Sequence, residues 1–165
     1  MSEQEEPWVG VAPVETLNEM SGLDFLRAIV EGRLPRPPIS RALRFHITEV
    51  EEGRVVFTGE PHFDFYNPIG SVHGGYAATL LDSCMACAVQ TTQPAGRGYT
   101  TVEIKINFVR PLTETTGEVL AEGRIIHVGR TLATAEGRLT DRAGRLYAHG
   151  TTTCAILAVP NGSRG

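Results

Sequence analysis

NPIGSVHGGYAATLLDSCMACAVQ, residues 67–90, changes character abruptly at Gly74. Ahead of it the chain turns: Asn67-Pro68 favours turn initiation, and Gly70 and Ser71 prolong the break. Beyond it the composition shifts to Ala, Leu, Met and Cys, residues that suit a helix. Between Ala77 and Val89 the only clearly polar side chains are Thr79, Asp82 and Ser83. A helix apolar nearly all round is a buried one. Asp82 is therefore the anomaly, a carboxylate two turns into a core helix with no basic neighbour in sequence. Buried Asp is rare unless paired or functional.

The same helix carries Cys84 and Cys87, whose spacing invites a redox or metal reading. A redox pair normally sits at a helix N-terminus, where the dipole lowers the thiol pKa. This one lies mid-helix in apolar company, and no second pair completes a zinc site. Cys84, Cys87 and the remote Cys154 read as small core-filling thiols.

Outward from the helix, the pattern becomes extended. Residues 41–51 and 54–60 read as two strands joined at Glu52-Gly53, a hairpin signal. Downstream, residues 99–110 alternate: Val102, Ile104, Ile106 and Phe108 on one face, Thr101, Glu103, Lys105 and Asn107 on the other. Residues 117–128, 131–140 and 145–157 continue as strands, with turns at Gly129-Arg130 and 141–144. Consecutive strands with short turns form an antiparallel sheet. The expected fold is α+β, five or six strands curled around one central helix. At the N-terminal side, residues 1–15 read as a loose tail. Ser21-Gly-Leu-Asp24 has the form of a capping box opening a short additional helix that stops at Gly32. Pro35, Pro37 and Pro38 read as an extended connector. This divides the chain into an N-terminal tail, helix and connector (1–39), a main domain (40–158) and a disordered C-terminal tail (159–165).

At 165 residues the chain suits one domain with a sizeable core. Its net charge of -4 argues against nucleic acid as a partner. No basic block suits an anionic membrane surface, and no apolar run reaches the ~18 residues of a membrane span. The start of the chain is acidic and lacks a signal-peptide pattern. These features point to the cytoplasm. His46, His62, His127 and His149 are scattered, so no metal cluster is expected.

Asn67-x-x-Gly70-x-x-His73-Gly74-Gly75, with Asp82 eight positions after Gly74, resembles the hotdog-fold acyl-CoA thioesterases, most of all their phenylacetate-pathway (PaaI-type) branch. The segments Thr101-Val-Glu-Ile-Lys-Ile-Asn-Phe-Val-Arg-Pro111 and His127-Val-Gly-Arg130-Thr-Leu-Ala add to the likeness, which covers roughly residues 40–157. The resemblance implies an enzyme that hydrolyses acyl- or aryl-acyl-CoA to a free acid and coenzyme A, without a cofactor. It implies that the Gly74 N–H polarises the thioester carbonyl while Asn67 and His73 shape the site. It gives Asp82 the role of activating water or attacking directly, and places Thr101 at the position that orients the water.

Physical chemistry explains these residue types. Charge develops on the carbonyl oxygen during attack, and unsatisfied N–H groups at a helix N-terminus are suited to receive it. Gly74 and Gly75 have no side chains to block close approach. Gly75, with Arg130 and Arg97 for coenzyme A phosphates, is assigned to substrate binding. Eight residues of helix separate Gly74 from Asp82 by about 12 Å, too far for one carbonyl to meet both. The site therefore needs a second chain, and the resemblance implies a homodimer, extended to a homotetramer as a dimer of dimers. Two other functions fit parts of the pattern. Asp64-Phe-Tyr-Asn67-Pro68-Ile69 is faintly similar to a hydratase motif, with wrong spacing to His73; a non-catalytic acyl-CoA-binding protein is the other.

Overall fold

A computed structural model describes residues 8–160. Its centre is helix α4, Gly74–Thr91, which packs against every strand of a six-stranded antiparallel sheet. The strands are β1 (Phe45–Glu51), β2 (Arg54–Gly59), β3 (Arg97–Phe108), β4 (Val119–Val128), β5 (Leu132–Asp141) and β6 (Leu146–Ala158). Their order across the sheet is β1-β2-β4-β5-β6-β3. The expected α+β architecture is present. The chain passes from β2 through α4 to β3 at the far edge, then returns to fill the middle.

Leu80, Leu81, Met85 and Val89 of α4 are fully buried against Val55, Val119 and Leu139 of the sheet. The helix comes so close to β4 because position 123 is glycine. A Cβ there would stand 2.2 Å from the Cys84 carbonyl oxygen and 2.6 Å from the Met85 nitrogen. Both are helix backbone and cannot swing aside. Gly123→Ala is therefore expected to cost about 3 kcal/mol by overpacking, lowering the melting temperature by roughly 6–12 °C in a thermal melt. A melting temperature unchanged within 2 °C or so would show that the helix floats free of the sheet at this point.

Three short helices precede the sheet: α1 (Val14–Glu19), α2 (Gly22–Val30) and α3 (Pro38–Ala42). Ser21 caps α2 by accepting the Asp24 N–H, as the capping box predicts. The Gly22 N–H donates to the Gln93 carbonyl at 2.9 Å, which docks α2 on the end of α4. Two expectations need correction. The loose tail does not run to residue 15, because Val9 bridges Arg36 and α1 opens at Val14. Nor is the proline segment extended throughout: Pro38 takes the first turn of α3, where its missing N–H costs nothing, and β1 starts at Phe45 rather than residue 41. Residues 1–7 and 161–165 lie outside the described residues, and with them about half of the expected N-terminal tail and most of the C-terminal one. Pro160, nominally in the C-terminal tail, accepts a hydrogen bond from Asn18.

Candidate active site

The first turn of α4 is built around His73. Its Nδ1 accepts the Gly75 N–H at 2.8 Å, and its backbone carbonyl accepts the Tyr76 N–H at 3.0 Å. Two of the helix's orphan donors are thus satisfied. Gly75 therefore has no free donor, contrary to the expectation that both glycines expose one. Among the described residues no acceptor meets the Gly74 N–H. An Nδ1 that accepts leaves the imidazole proton on Nε2. His73 is exposed as a residue and lines the cavity beside it.

Asn67 holds the preceding loop. Its Oδ1 accepts N–H groups from Ile69 (3.1 Å) and Ser71 (3.2 Å), and its Nδ2 donates to Ser71 Oγ at 3.0 Å. Gly70 closes this turn at φ +89°, a conformation L side chains rarely adopt. Asn67 fixes where His73 enters the helix, a positioning role. Asn67, Ser71, His73 and Gly74 share a cavity of about 420 Å³ with Phe108 and Arg110. Sequence reasoning gave Arg110 no role, although it lies in the quoted strand segment. Here its Nη1 donates to the Leu146 carbonyl at 2.6 Å and the guanidinium stacks over Tyr147. Among the described residues, it is the single arginine or lysine in that wall.

Asp82 and Thr101 form a second cluster. The Thr101 hydroxyl donates to Asp82 Oδ1 at 2.9 Å, and Cys154 Sγ lies 3.9 Å from the same hydroxyl. Asp82 is half-buried rather than fully enclosed. Strict alternation along β3 would have turned Thr101 away from Ile104. A bulge between Thr101 and Glu103 changes this: Thr101 pairs with Cys154 and Ile104 with Thr152. Those partners are two apart on β6, so Thr101 and Ile104 share the helix-facing side while Val102 turns out, 56% exposed. The bulge aims the hydroxyl at the carboxylate.

The neighbouring thiols are structural. Cys84 donates to the Leu81 carbonyl at 3.3 Å, and burial pushes Cys87 up to about 12. Both stay protonated and unreactive at neutral pH. Arg97 and Arg130 are exposed, with no carboxylate within 4.0 Å among the described residues. They sit where β3, β5 and β6 meet beyond Thr101, since β3 opens opposite Ala158 and β5 opposite Ala155. One chain thus brings Asn67, His73, Gly74 and Gly75 together at one end of α4. It sets Asp82 and Thr101 further along the helix, outside the cavity, with the two arginines beyond them. No group of three metal-ligating side chains occurs among the described residues. Among them, too, no helix is long and apolar enough to cross a membrane.

Over residues 69–148 the sequence matches the thioesterase superfamily. Acyl-coenzyme A thioesterase 13 of Homo sapiens is 26% identical over 130 residues, 78% of this chain and 91% of that one. The chain spans less than half the length of a Halobacterium salinarum relative: 33% identity over 69 residues, 41% of this chain and 44% of that one. A phenylacetic acid degradation-related protein from Ralstonia eutropha superposes with TM-score 0.72 at 27% identity, covering 79% of this chain and 98% of its own. A Streptococcus mutans protein bound to acetyl-CoA gives TM-score 0.63 at 27% identity, over 71% of this chain and 91% of its own. The matched span takes in the glycine-led helix, Asp82 and Thr101, and over it this hotdog-fold chain is similar to the thioesterase superfamily.

Proposed function

We propose that the protein hydrolyses acyl- or aryl-acyl-CoA to a free acid and coenzyme A, in a site shared by two copies of the chain. The carrying observation is the division of labour along α4. The unsatisfied Gly74 N–H stands at its start, and the Asp82–Thr101 pair lies about 12 Å along it. Strand β3 supplies the means of joining them. It is a sheet edge of 12 residues with its outer N–H and C=O groups unpaired, and Val102, Ile104, Phe108 and Val109 are exposed beside it. Such an edge is a template for another strand. Antiparallel pairing of two β3 edges runs the Thr101 end of each copy towards the Phe108 end of the other. Phe108 packs on Gly74, with ring atoms 3.3 Å from where a Cβ would stand.

In this reading the thioester carbonyl accepts the Gly74 N–H of one copy, and His73 keeps the neighbouring Gly75 donor occupied so that the geometry is fixed. Asp82 of the other copy takes the proton of the attacking water, oriented by Thr101. Arg110, beside Gly74, and Arg97 and Arg130 face the coenzyme A phosphates. Coenzyme A arrives with the substrate, and no cofactor takes part. The acyl-CoA ligand is supported by the acetyl-CoA bound to the Streptococcus mutans neighbour. We place the enzyme in the cytoplasm and expect the dimers to associate in pairs.

Thiol release across a panel of aliphatic and aromatic acyl-CoA esters tests the activity. Hydration of crotonyl-CoA without thiol release, or tight acyl-CoA binding without turnover, would overturn it. Thr101→Val keeps the shape and removes the hydroxyl from Asp82. A hydrogen bond to a charged group is worth about 1.5–3 kcal/mol, so kcat should fall about tenfold or more with KM little changed. A KM effect alone would reassign Thr101 to binding.

A further inference from the structure

The segment ahead of the sheet builds a second concavity with no part in the thioesterase reading. A cavity of about 220 Å³ lies where Arg36, helix α3 and the start of β1 meet, and Arg36, Arg41 and Arg44 form its cationic rim. Among the described residues, Glu60 is the one acid in its wall. Among the described residues neither Arg36 nor Arg41 has a carboxylate within 4.0 Å, and Arg44 reaches only Asp64, at 4.0 Å. Backbone pairing fixes Arg36: its N–H donates to the Trp8 carbonyl and its carbonyl accepts the Gly10 N–H, both at 2.9 Å.

Ser40 adds a neutral polar group to the same wall. It lines both the cavity and the chamber beneath it. Its hydroxyl is of the type that can donate to a carboxylate oxygen. Arg36, Ser40 and His46 also wall an adjoining chamber of about 60 Å³. The rest of that chamber is apolar: Leu26, Ile29, Pro37, Ile47, Phe57 and the Cys87 thiol.

We propose that the two cavities form one binding site for an amphiphilic carboxylate, its head at the arginine rim and Ser40, its apolar tail in the chamber beneath. Each half narrows the ligand class. Guanidinium forks match a carboxylate in geometry and charge, which a neutral lipid would waste. The apolar chamber has little to offer an inorganic anion, which would leave it empty. Burial and the Arg36 charge push His46 below its ordinary value, so at neutral pH its imidazole is an uncharged hydrogen-bonding group between head and tail. On the thioesterase reading, the acid released by the enzyme is a ligand of this class. The site contains neither Asp82 nor Gly74 and stands without that reading.

The test is thermal unfolding of the full chain with octanoate, acetate or inorganic phosphate. Octanoate at a hundredfold excess over its Kd should raise the melting temperature by about 5–11 °C, while acetate and phosphate leave it unmoved. The shift should vanish in Arg36→Gln/Arg41→Gln and persist in Gly74→Val, whose side chain crowds the cavity at the start of α4, which separates this site from binding at the catalytic centre. Arg41 is exposed, so Arg41→Gln alone folds as the parent does and should weaken octanoate about tenfold. An octanoate shift unaltered by the arginine variants overturns the proposal, as does phosphate acting as strongly as octanoate, or no shift at all. Thiol release from acyl-CoA, followed in parallel, reports on the thioesterase reading alone.

Discussion

Asp82→Asn is expected to lower kcat for acyl-CoA hydrolysis by about 10²–10⁴-fold, the usual contribution of a positioned general base. The substitution is nearly isosteric. An asparagine side-chain oxygen can still accept the Thr101 hydroxyl that now donates to Asp82 Oδ1 at 2.9 Å, so the link between α4 and β3 survives. Asp82 is half-buried and lies in no ion pair among the described residues, so removing its charge strands no partner. Folding should therefore be intact, with the same melting temperature within a few degrees. The loss belongs to chemistry: an amide neither takes a proton from water nor attacks a carbonyl. KM should change little, because the acyl-CoA is held elsewhere. A folded Asp82→Asn protein with parental kcat would remove the carboxylate from the mechanism.

How legible this pair was in the sequence differs between its members. Asp82 stands out because one charge interrupts an apolar helix, and a lone carboxylate in that setting has few innocent explanations. Thr101 has no such signal, since Thr is ordinary on a strand. Its orientation depends on a one-residue bulge that period-two alternation cannot reveal, and reading β3 as regular put it with Glu103 and Lys105 on the wrong face. The glycines show a similar divide. Their absent side chains are plain in sequence, but only the fold shows His73 Nδ1 taking the Gly75 N–H and leaving Gly74 as the free donor.

Local pattern carried the strands and the central helix because burial repeats with their period. It carried the topology less well. That β3 crosses to the far edge and pairs with β6 is decided by long-range contacts, and no turn signal encodes it. Prolines misled at Pro38, where the residue opens α3 instead of extending the connector. The close approach of α4 to Gly123 is likewise a property of two elements together.

Gly74→Val is expected to lower kcat by about 10²-fold or more, on the scale of losing one oxyanion donor. The N–H itself remains, but a branched side chain at this position shields it and meets the Phe108 ring, already 3.3 Å from a single added Cβ. Alone, this result does not distinguish a site within one chain from a site between two. Mixing does. When Asp82→Asn and Gly74→Val chains are co-expressed and reassort, half of the dimers are hybrids. In each hybrid one site combines both lesions, and the other combines the intact Asp82 of one chain with the intact Gly74 of the other. Activity should return to about a quarter of the parental value, the share fixed by two-fold symmetry. Separately purified variants mixed without exchange should stay inactive. If every site lay within a single chain, each hybrid would hold two damaged sites, and activity would never exceed the sum of the two residual rates. Recovery to a quarter therefore requires the carboxylate and the glycine amide to come from different copies, as the 12 Å or so between them along α4 demands.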